Sequence, residues 1–187
     1  MFPSTRVDGP MLAEALALID LDFRADAPKP MQEHARIVGA LGEVAATEWL
    51  RSEHAPVTWV HEASHDLEGY TAGKVEIKSK RSKHAPNYNL TLSVPAYNHA
   101  AQPVDWYLFT LVGYWDDSQP DAPEYHTVWI LGGLHASRLE HMELVRAGDP
   151  MPQGGRFAFD SWQVPLGDLT DPYTLLRAWA PGTGSAA

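Results

Sequence analysis

Residues 65–80 have the sequence HDLEGYTAGKVEIKSK. Alternating polar and apolar residues flank a central segment, GYTAG at 69–73, in which two glycines mark a turn. Alternation with a period of two is typical of β-strands, and a glycine-containing connection between two such runs is typical of a hairpin. The stretch therefore predicts a β-hairpin with strands at 66–69 and 74–79.

The predicted register of this hairpin brings charged residues together. If the hairpin turns about Thr71, Asp66 lies directly opposite Glu76, since each is five residues from the centre. Directly opposed partners have Cβ atoms about 4.5–5.5 Å apart. Glu76 and Lys78 are two residues apart on one strand, so they share a face. We therefore expect two carboxylates and one ammonium group to converge on one side of the hairpin.

Such a cluster favours a metal ion, because two carboxylates at this distance repel each other unless a cation lies between them. Mg²⁺ prefers oxygen ligands and is often held by only one or two carboxylates. We expect Asp66, Glu76 and the main-chain carbonyl of Ile77 to bind Mg²⁺ or Mn²⁺. With Lys78 beside the metal to orient or deprotonate a water molecule, the chemistry that this arrangement favours is phosphodiester hydrolysis.

The rest of the chain predicts one domain at 1–180 and a disordered tail at 181–187. Helices are predicted at 10–20, at about 30–52 and at 135–146. Further strands are predicted at 57–60, 105–113, 125–131 and 156–164, with an irregular crossover before the second of them. This order predicts an α/β (mixed α+β) fold with a central mixed β-sheet flanked by helices.

Asp66, followed by Glu76-Ile77-Lys78 on the next strand, resembles the signature of the PD-(D/E)XK nuclease superfamily, which has the restriction-endonuclease-like fold. The predicted helix that contains Glu43 is similar to the acidic helix that many members place before the catalytic hairpin. The resemblance covers about residues 30–113. One departure is His65, which replaces the proline that precedes the aspartate in the family signature.

This resemblance implies a metal-dependent nuclease that hydrolyses DNA and leaves 5′-phosphate and 3′-hydroxyl ends. It implies that Asp66 and Glu76 are metal ligands and that Lys78 is the catalytic lysine. It also implies that Glu43 is a further acidic ligand or holds the water molecule. The core of the domain would be restriction-endonuclease-like.

The charge distribution bears on DNA binding in two opposite ways. The 187 residues include 24 Asp and Glu and 14 Lys and Arg, and this net charge of −10 disfavours nucleic-acid binding through overall charge. However, five of the 14 basic residues lie between positions 74 and 83. We expect this local patch to hold DNA phosphates, with contacts from Lys80, Arg81, Lys83, Asn87 and Tyr88.

Composition excludes several other classes of protein. The absence of cysteine excludes disulfides, thiolate zinc sites and thiol nucleophiles. No apolar run approaches the roughly 20 residues of a membrane span, and the N-terminus has no signal-peptide pattern. We therefore expect no membrane partner and a cytoplasmic location. The oligomeric state stays open, and a homodimer is compatible with cleavage of both DNA strands.

Two alternative functions remain open. Nine histidines, among them His61 and His65, invite a His-liganded metalloenzyme. The chain could instead be a catalytically inactive nuclease-fold module for binding or assembly. We expect such a module to lack one of the three site residues, whereas Asp66, Glu76 and Lys78 are all present, which favours the enzyme.

Overall fold

The computed structural model describes residues 2–21, 33–60, 65–69, 71–101, 103–115, 124–152 and 154–180. Its helices are α1 (Gly9–Leu21), α2 (Glu33–Ser52), α3 (Ala96–Ala101) and α4 (Pro172–Trp179). Its strands are β1 (Ser4–Arg6), β2 (Val57–Trp59), β3 (Leu67–Gly69), β4 (Gly73–Ser82), β5 (Thr91–Pro95), β6 (Trp106–Tyr114), β7 (Tyr125–His135), β8 (Glu143–Val145) and β9 (Ser161–Pro165).

The strands form one large and one small sheet. The six-stranded sheet has the order β1-β7-β6-β4-β3-β2, and the three-stranded sheet has the order β5-β9-β8. In the large sheet β4 and β6 are parallel, and every other neighbouring pair is antiparallel. Helices α2 and α4 pack against this sheet. The predicted α/β fold with a mixed sheet flanked by helices is therefore confirmed.

Strand β6 is a central strand of the large sheet, and both of its faces are buried. Leu108 and Val112 point toward the side covered by α2. Phe109 and Leu111 point to the opposite side, where they pack with Leu92 of the small sheet. A strand that is covered on both faces requires a continuous apolar run, which is the pattern that 105–113 shows in the sequence.

Helix α2 lies close to the large sheet at Gly42. A Cβ atom at this position would overlap Ser79 Oγ on β4 and Thr110 Oγ1 on β6. Those two hydroxyls are hydrogen-bonded to each other, with Thr110 donating to Ser79 Oγ at 2.9 Å. The absence of a side chain at Gly42 therefore allows the helix to lie against the two central strands at this point.

The predicted helix at 135–146 is wrong. Strand β7 continues to His135, a short 3₁₀ helix follows at Ala136–His141, and Glu143–Val145 is the strand β8. The reason is tertiary, because β8 gains a ladder with β9 in which Leu144 lies opposite Trp162. The predicted strand at 156–164 begins only at Ser161, since Arg156 forms an isolated bridge with Pro150 and the chain bends at 158–159.

The remaining predictions differ from the structure by a few residues. The start of the second helix at 30 and the tail at 181–187 lie outside the described residues. The crossover that was expected to be irregular contains β5 and α3. Within the described ranges, no helix is both long enough and apolar enough to cross a membrane.

Candidate active site

The hairpin of β3 and β4 has the register that the sequence predicts. Leu67 lies opposite Val75, and Gly69 lies opposite Gly73. The paired residues end at Leu67, and the Asp66 amide donates to the Val75 carbonyl at 3.1 Å, so Asp66 lies just beyond the last pair of the ladder and near Glu76. Strand β3 itself begins at Leu67, so Asp66 stands at the point where the ladder ends.

The Asp66 side chain takes the place of a missing ladder partner. Its Oδ2 accepts a hydrogen bond from the Ile77 amide at 2.7 Å. The N–H and C=O groups of one residue in a strand point to the same neighbouring strand, so the Ile77 carbonyl points to this edge as well. The Asp66 carboxylate and the Ile77 carbonyl therefore lie at the same edge of β4, and their role as ligands of one metal ion stays a prediction.

Glu76 is buried and has one oxygen available. Only 2% of the residue is exposed, and its Oε1 accepts a hydrogen bond from Lys78 Nζ at 2.7 Å. Its other oxygen, Oε2, is buried and has no hydrogen-bond partner among the residues that the structure describes. A buried carboxylate oxygen without a partner is costly unless a cation or a water molecule satisfies it.

The surroundings of Asp66 also disfavour its negative charge, so a nearby cation would stabilise this carboxylate. Burial raises the pKa of Asp66 well above its ordinary value, and the carboxylates of Glu76 and Glu43 raise it further. The hydrogen bond from the Ile77 amide and the charge of Lys78 lower this pKa in part. Glu76 and Glu43 thus both lie close enough to act on Asp66, and a bound cation would relieve this repulsion.

Glu43 reaches this region from α2. It is half-buried, and its Oε1 accepts a hydrogen bond from the indole Nε1 of Trp59 at 2.7 Å. This hydrogen bond holds the Glu43 carboxylate between α2 and β2. From there the charge of Glu43 raises the pKa of Asp66. The role of Glu43 as a ligand or water holder stays a prediction.

Tyr107 is a site residue that the sequence did not reveal. It lies on β6 directly beside Glu76, and it is buried. Its hydroxyl lies 2.8 Å from Nδ1 of His99 on α3. Burial raises the pKa of Tyr107, and the charge of Glu76 raises it further. Only the parallel pairing of β4 with β6 brings Tyr107 here, and short-range sequence patterns do not specify which strands pair.

The predicted DNA contacts Lys80 and Arg81 lie on opposite faces of β4. Lys80 shares the face of Glu76, and its Nζ donates to the Thr91 carbonyl of β5 at 2.6 Å. Partial burial lowers the pKa of Lys80. Arg81 points to the α2 side, where its guanidinium carbon lies 5.1 Å from the centre of the Tyr114 ring. A single DNA strand at the Glu76 face would reach Lys80 and not Arg81.

The other predicted contacts lie in the exposed connection between β4 and β5. Lys83, Asn87 and Tyr88 are all exposed, and 87% of Tyr88 is accessible. Asn87 Oδ1 accepts a hydrogen bond from the Asn89 amide at 3.0 Å, which stabilises a local turn. These residues are placed where a bound polymer could reach them, and their role in DNA binding stays a prediction.

A histidine-based metal centre receives no support from the geometry. His61 lies outside the described residues, and His65 is buried with its Nε2 3.9 Å from a carboxylate oxygen of Glu68. Within the described part of the chain, no group of three or more histidines, aspartates or glutamates is arranged to bind a metal. Metal binding here would thus rest on two carboxylates and a carbonyl, a small donor set of the kind that Mg²⁺ accepts.

Comparison with known proteins finds nothing similar. No protein-family model, no curated protein and no solved structure matches this chain.

Proposed function

We propose that this chain is a metal-dependent nuclease that hydrolyses DNA phosphodiester bonds and has a restriction-endonuclease-like core. The observation that carries the proposal is the environment of Glu76. One of its oxygens is bound by Lys78, and the other is buried without a partner among the described residues. Burial raises the pKa of the neighbouring Asp66, and the negative charge of Glu76 raises it further.

The residues present fit a hard divalent cation. Asp66, Glu76 and the Ile77 carbonyl would hold Mg²⁺ or Mn²⁺, and the buried Oε2 of Glu76 is the oxygen that needs such a partner. When bound, the ion supplies positive charge to the phosphate oxygens and lowers the pKa of water. Because the site is buried, its electrostatic interactions are stronger than they would be in water.

Lys78 is the residue that connects this buried site to the surface. Its Nζ lies 2.7 Å from Glu76, and 15% of its side chain is exposed, compared with 3% for Glu76. In the proposed reaction Lys78 positions the attacking water and stabilises negative charge on the phosphate. The water oxygen forms a bond to phosphorus, the bond from phosphorus to the 3′ oxygen breaks, and that oxygen takes up a proton.

The experiment is a cleavage assay on linear, circular and branched DNA with Mg²⁺, Mn²⁺ or EDTA. We expect metal-dependent cutting by the wild-type chain and a loss of about 10²–10³-fold in Glu76→Gln and in Lys78→Gln. Arg177→Gln is the control, because Arg177 is an exposed basic residue on α4, outside the basic patch at 74–83. Activity that survives both site substitutions would show that the site is elsewhere.

A catalytically inactive binding module is the second candidate, and the burial of the carboxylates favours it. Only 5% of Asp66 and 2% of Glu76 are exposed, so substrate must approach through the partly exposed Lys78. The same assay separates the two candidates. A folded wild-type chain that binds these DNAs and cuts none of them in any metal would establish the module.

A further inference from the structure

A second polar and aromatic pocket lies at the far end of the large sheet from the hairpin. Its volume is about 570 Å³, which is within the range of small-molecule sites. The pocket is lined by Ser4, Arg6, Val7, Trp115, His126 and Thr127. None of these residues belongs to the candidate active site.

The pocket is on the same face of the sheet as the candidate active site. Residues opposite each other across a ladder point to the same face. A first row across the sheet joins Lys80, Leu111, Trp129 and Ser4. A second row joins Ser82, Gly113, Thr127 and Arg6. Arg6 therefore shares the face of Glu76, Lys78 and Lys80.

Trp115 offers a fixed aromatic surface in this pocket. Its ring is stacked on His126, with 4.3 Å between ring centres and 30° between planes, and 38% of the residue is exposed. His126 lies close over Gly113, where a Cβ atom would come within 2.5 Å of its Cε1. Burial lowers the pKa of His126, which favours the neutral ring in this stack. A half-exposed indole held in this way is preorganised to stack on another flat ring.

Arg6 provides the charge beside this surface. It is exposed at the edge of the sheet, and it has no hydrogen-bond or ion-pair partner within the part of the chain that the structure describes. The hydroxyls of Ser4 and Thr127 line the same pocket. A guanidinium with neighbouring hydroxyls recognises phosphate, whereas an exposed indole recognises a nucleobase.

We propose that this pocket binds one unpaired nucleotide of the DNA substrate, with its base on Trp115 and its phosphate on Arg6. The proposal rests on the proposed nuclease function, and it names the substrate class as DNA with a single-stranded portion. The pocket lies three strands and six residues from Glu76. At about 4.8 Å per strand and about 3.3 Å per residue, this separation is about 24 Å.

The test measures affinity in EDTA, so that it does not depend on cleavage. The probes are a fluorescent blunt duplex, the same duplex with a single-stranded overhang, and free dAMP. We expect Trp115→Ala to weaken binding of the overhang DNA about tenfold, as loss of one stacked base does, and to leave blunt-duplex binding within about twofold. Arg6→Gln should also weaken overhang binding, and Trp115→Phe should retain most of it.

Tyr173→Ala is the matched control, because Tyr173 is a similarly exposed aromatic residue on α4. Overhang binding that is unchanged in Trp115→Ala, or that is lost equally in Tyr173→Ala, would overturn the proposal. Tight binding of dAMP that competes with the overhang DNA would show a free-nucleotide site and would overturn the assignment to a strand. Failure of cleavage with intact Trp115-dependent binding would instead contradict only the nuclease function.

Discussion

The two faces of strand β4 differ in what they bury. On one face, Val75, Ile77 and Ser79 pack toward α2, where a Cβ atom added at Gly42 would overlap the hydroxyl of Ser79. On the other face, Glu76 and Lys78 form a buried ion pair at 2.7 Å. One face is closed by apolar packing, whereas the other holds charges that packing alone does not satisfy.

Strand β4 therefore contributes to folding through the residues of one face and to the candidate site through the residues of the other face. Since side chains alternate with a period of two, a residue of one face is always adjacent in sequence to a residue of the other. Substitutions one residue apart should therefore separate folding from activity. The predictions that follow test this separation.

The largest expected effect on stability is at the helix face. We expect Gly42→Ala to destabilise the fold by about 3 kcal/mol, because the added methyl group overlaps Ser79 Oγ and Thr110 Oγ1 in a packed interface. Gly39→Ala is the matched control on the same helix, since a Cβ atom there meets nothing within 4 Å. The control should be stabilised by up to about 1 kcal/mol through its higher helix propensity.

Urea denaturation of the two variants measures this contrast. Equal stability of Gly42→Ala and Gly39→Ala would mean that α2 can shift away from β4 at little cost, and the comparison between the two faces would lose its basis.

We expect Asp66→Asn to increase the stability of the fold at neutral to alkaline pH, by less than Gly42→Ala decreases it. Since burial and nearby carboxylates raise the pKa of Asp66, the folded state binds this proton more tightly than the unfolded state. Stability from this group is present below its unfolded pKa and is lost as the pH rises through the folded pKa. In EDTA, Asp66→Asn should therefore be more stable than wild type at pH 8 and show a smaller advantage at pH 4.

The half-buried Asp160 provides a control with the reverse sign. Hydrogen bonds from the Ala147 amide and from Arg146 lower the pKa of Asp160. Its contribution is present at neutral pH and is lost as the pH falls through the folded pKa. Asp160→Asn should thus be less stable than wild type at pH 8. Denaturation curves for both variants across pH 3–8 that show the same sign would refute the assigned cause.

The smallest expected effect concerns DNA binding by the adjacent residues Lys80 and Arg81. Lys80 shares the face of Glu76, so Lys80→Gln should reduce the salt dependence of duplex affinity by about 0.9 in log–log slope, as loss of one phosphate contact does. Arg81 lies over Tyr114 on the α2 side, so Arg81→Gln should leave the slope unchanged. Fluorescence anisotropy at several salt concentrations would contradict this account if only Arg81→Gln changed the slope.

Local sequence patterns predicted the part of the fold that contains the candidate site. The two glycines at 69 and 73 and the alternation around them fixed the hairpin register, and the apolar run at 105–113 identified the central strand. Both depend on neighbours within a few residues. The approach of Asp66 to Glu76 could therefore be predicted from the sequence.

Features that depend on distant pairing could not be predicted in this way. Residues 143–145 form a strand because β9 is available to pair with them, and the local pattern favoured a helix. Tyr107 reaches Glu76 because β6 pairs in parallel with β4. The pocket around Arg6 and Trp115 requires β1 to add to the edge of β7, which a three-residue strand does not signal.

The most direct test of the central claim is Mn²⁺ binding measured by calorimetry without DNA. The account predicts one site in the wild-type chain, a loss of at least about tenfold in affinity in Asp66→Asn and in Glu76→Gln, and retained binding in Lys78→Gln. Lys78 is the discriminating variant, because it contacts Glu76 without being a ligand. Wild-type protein that binds no Mn²⁺, or Glu76→Gln that binds it as tightly as wild type, would contradict the claim.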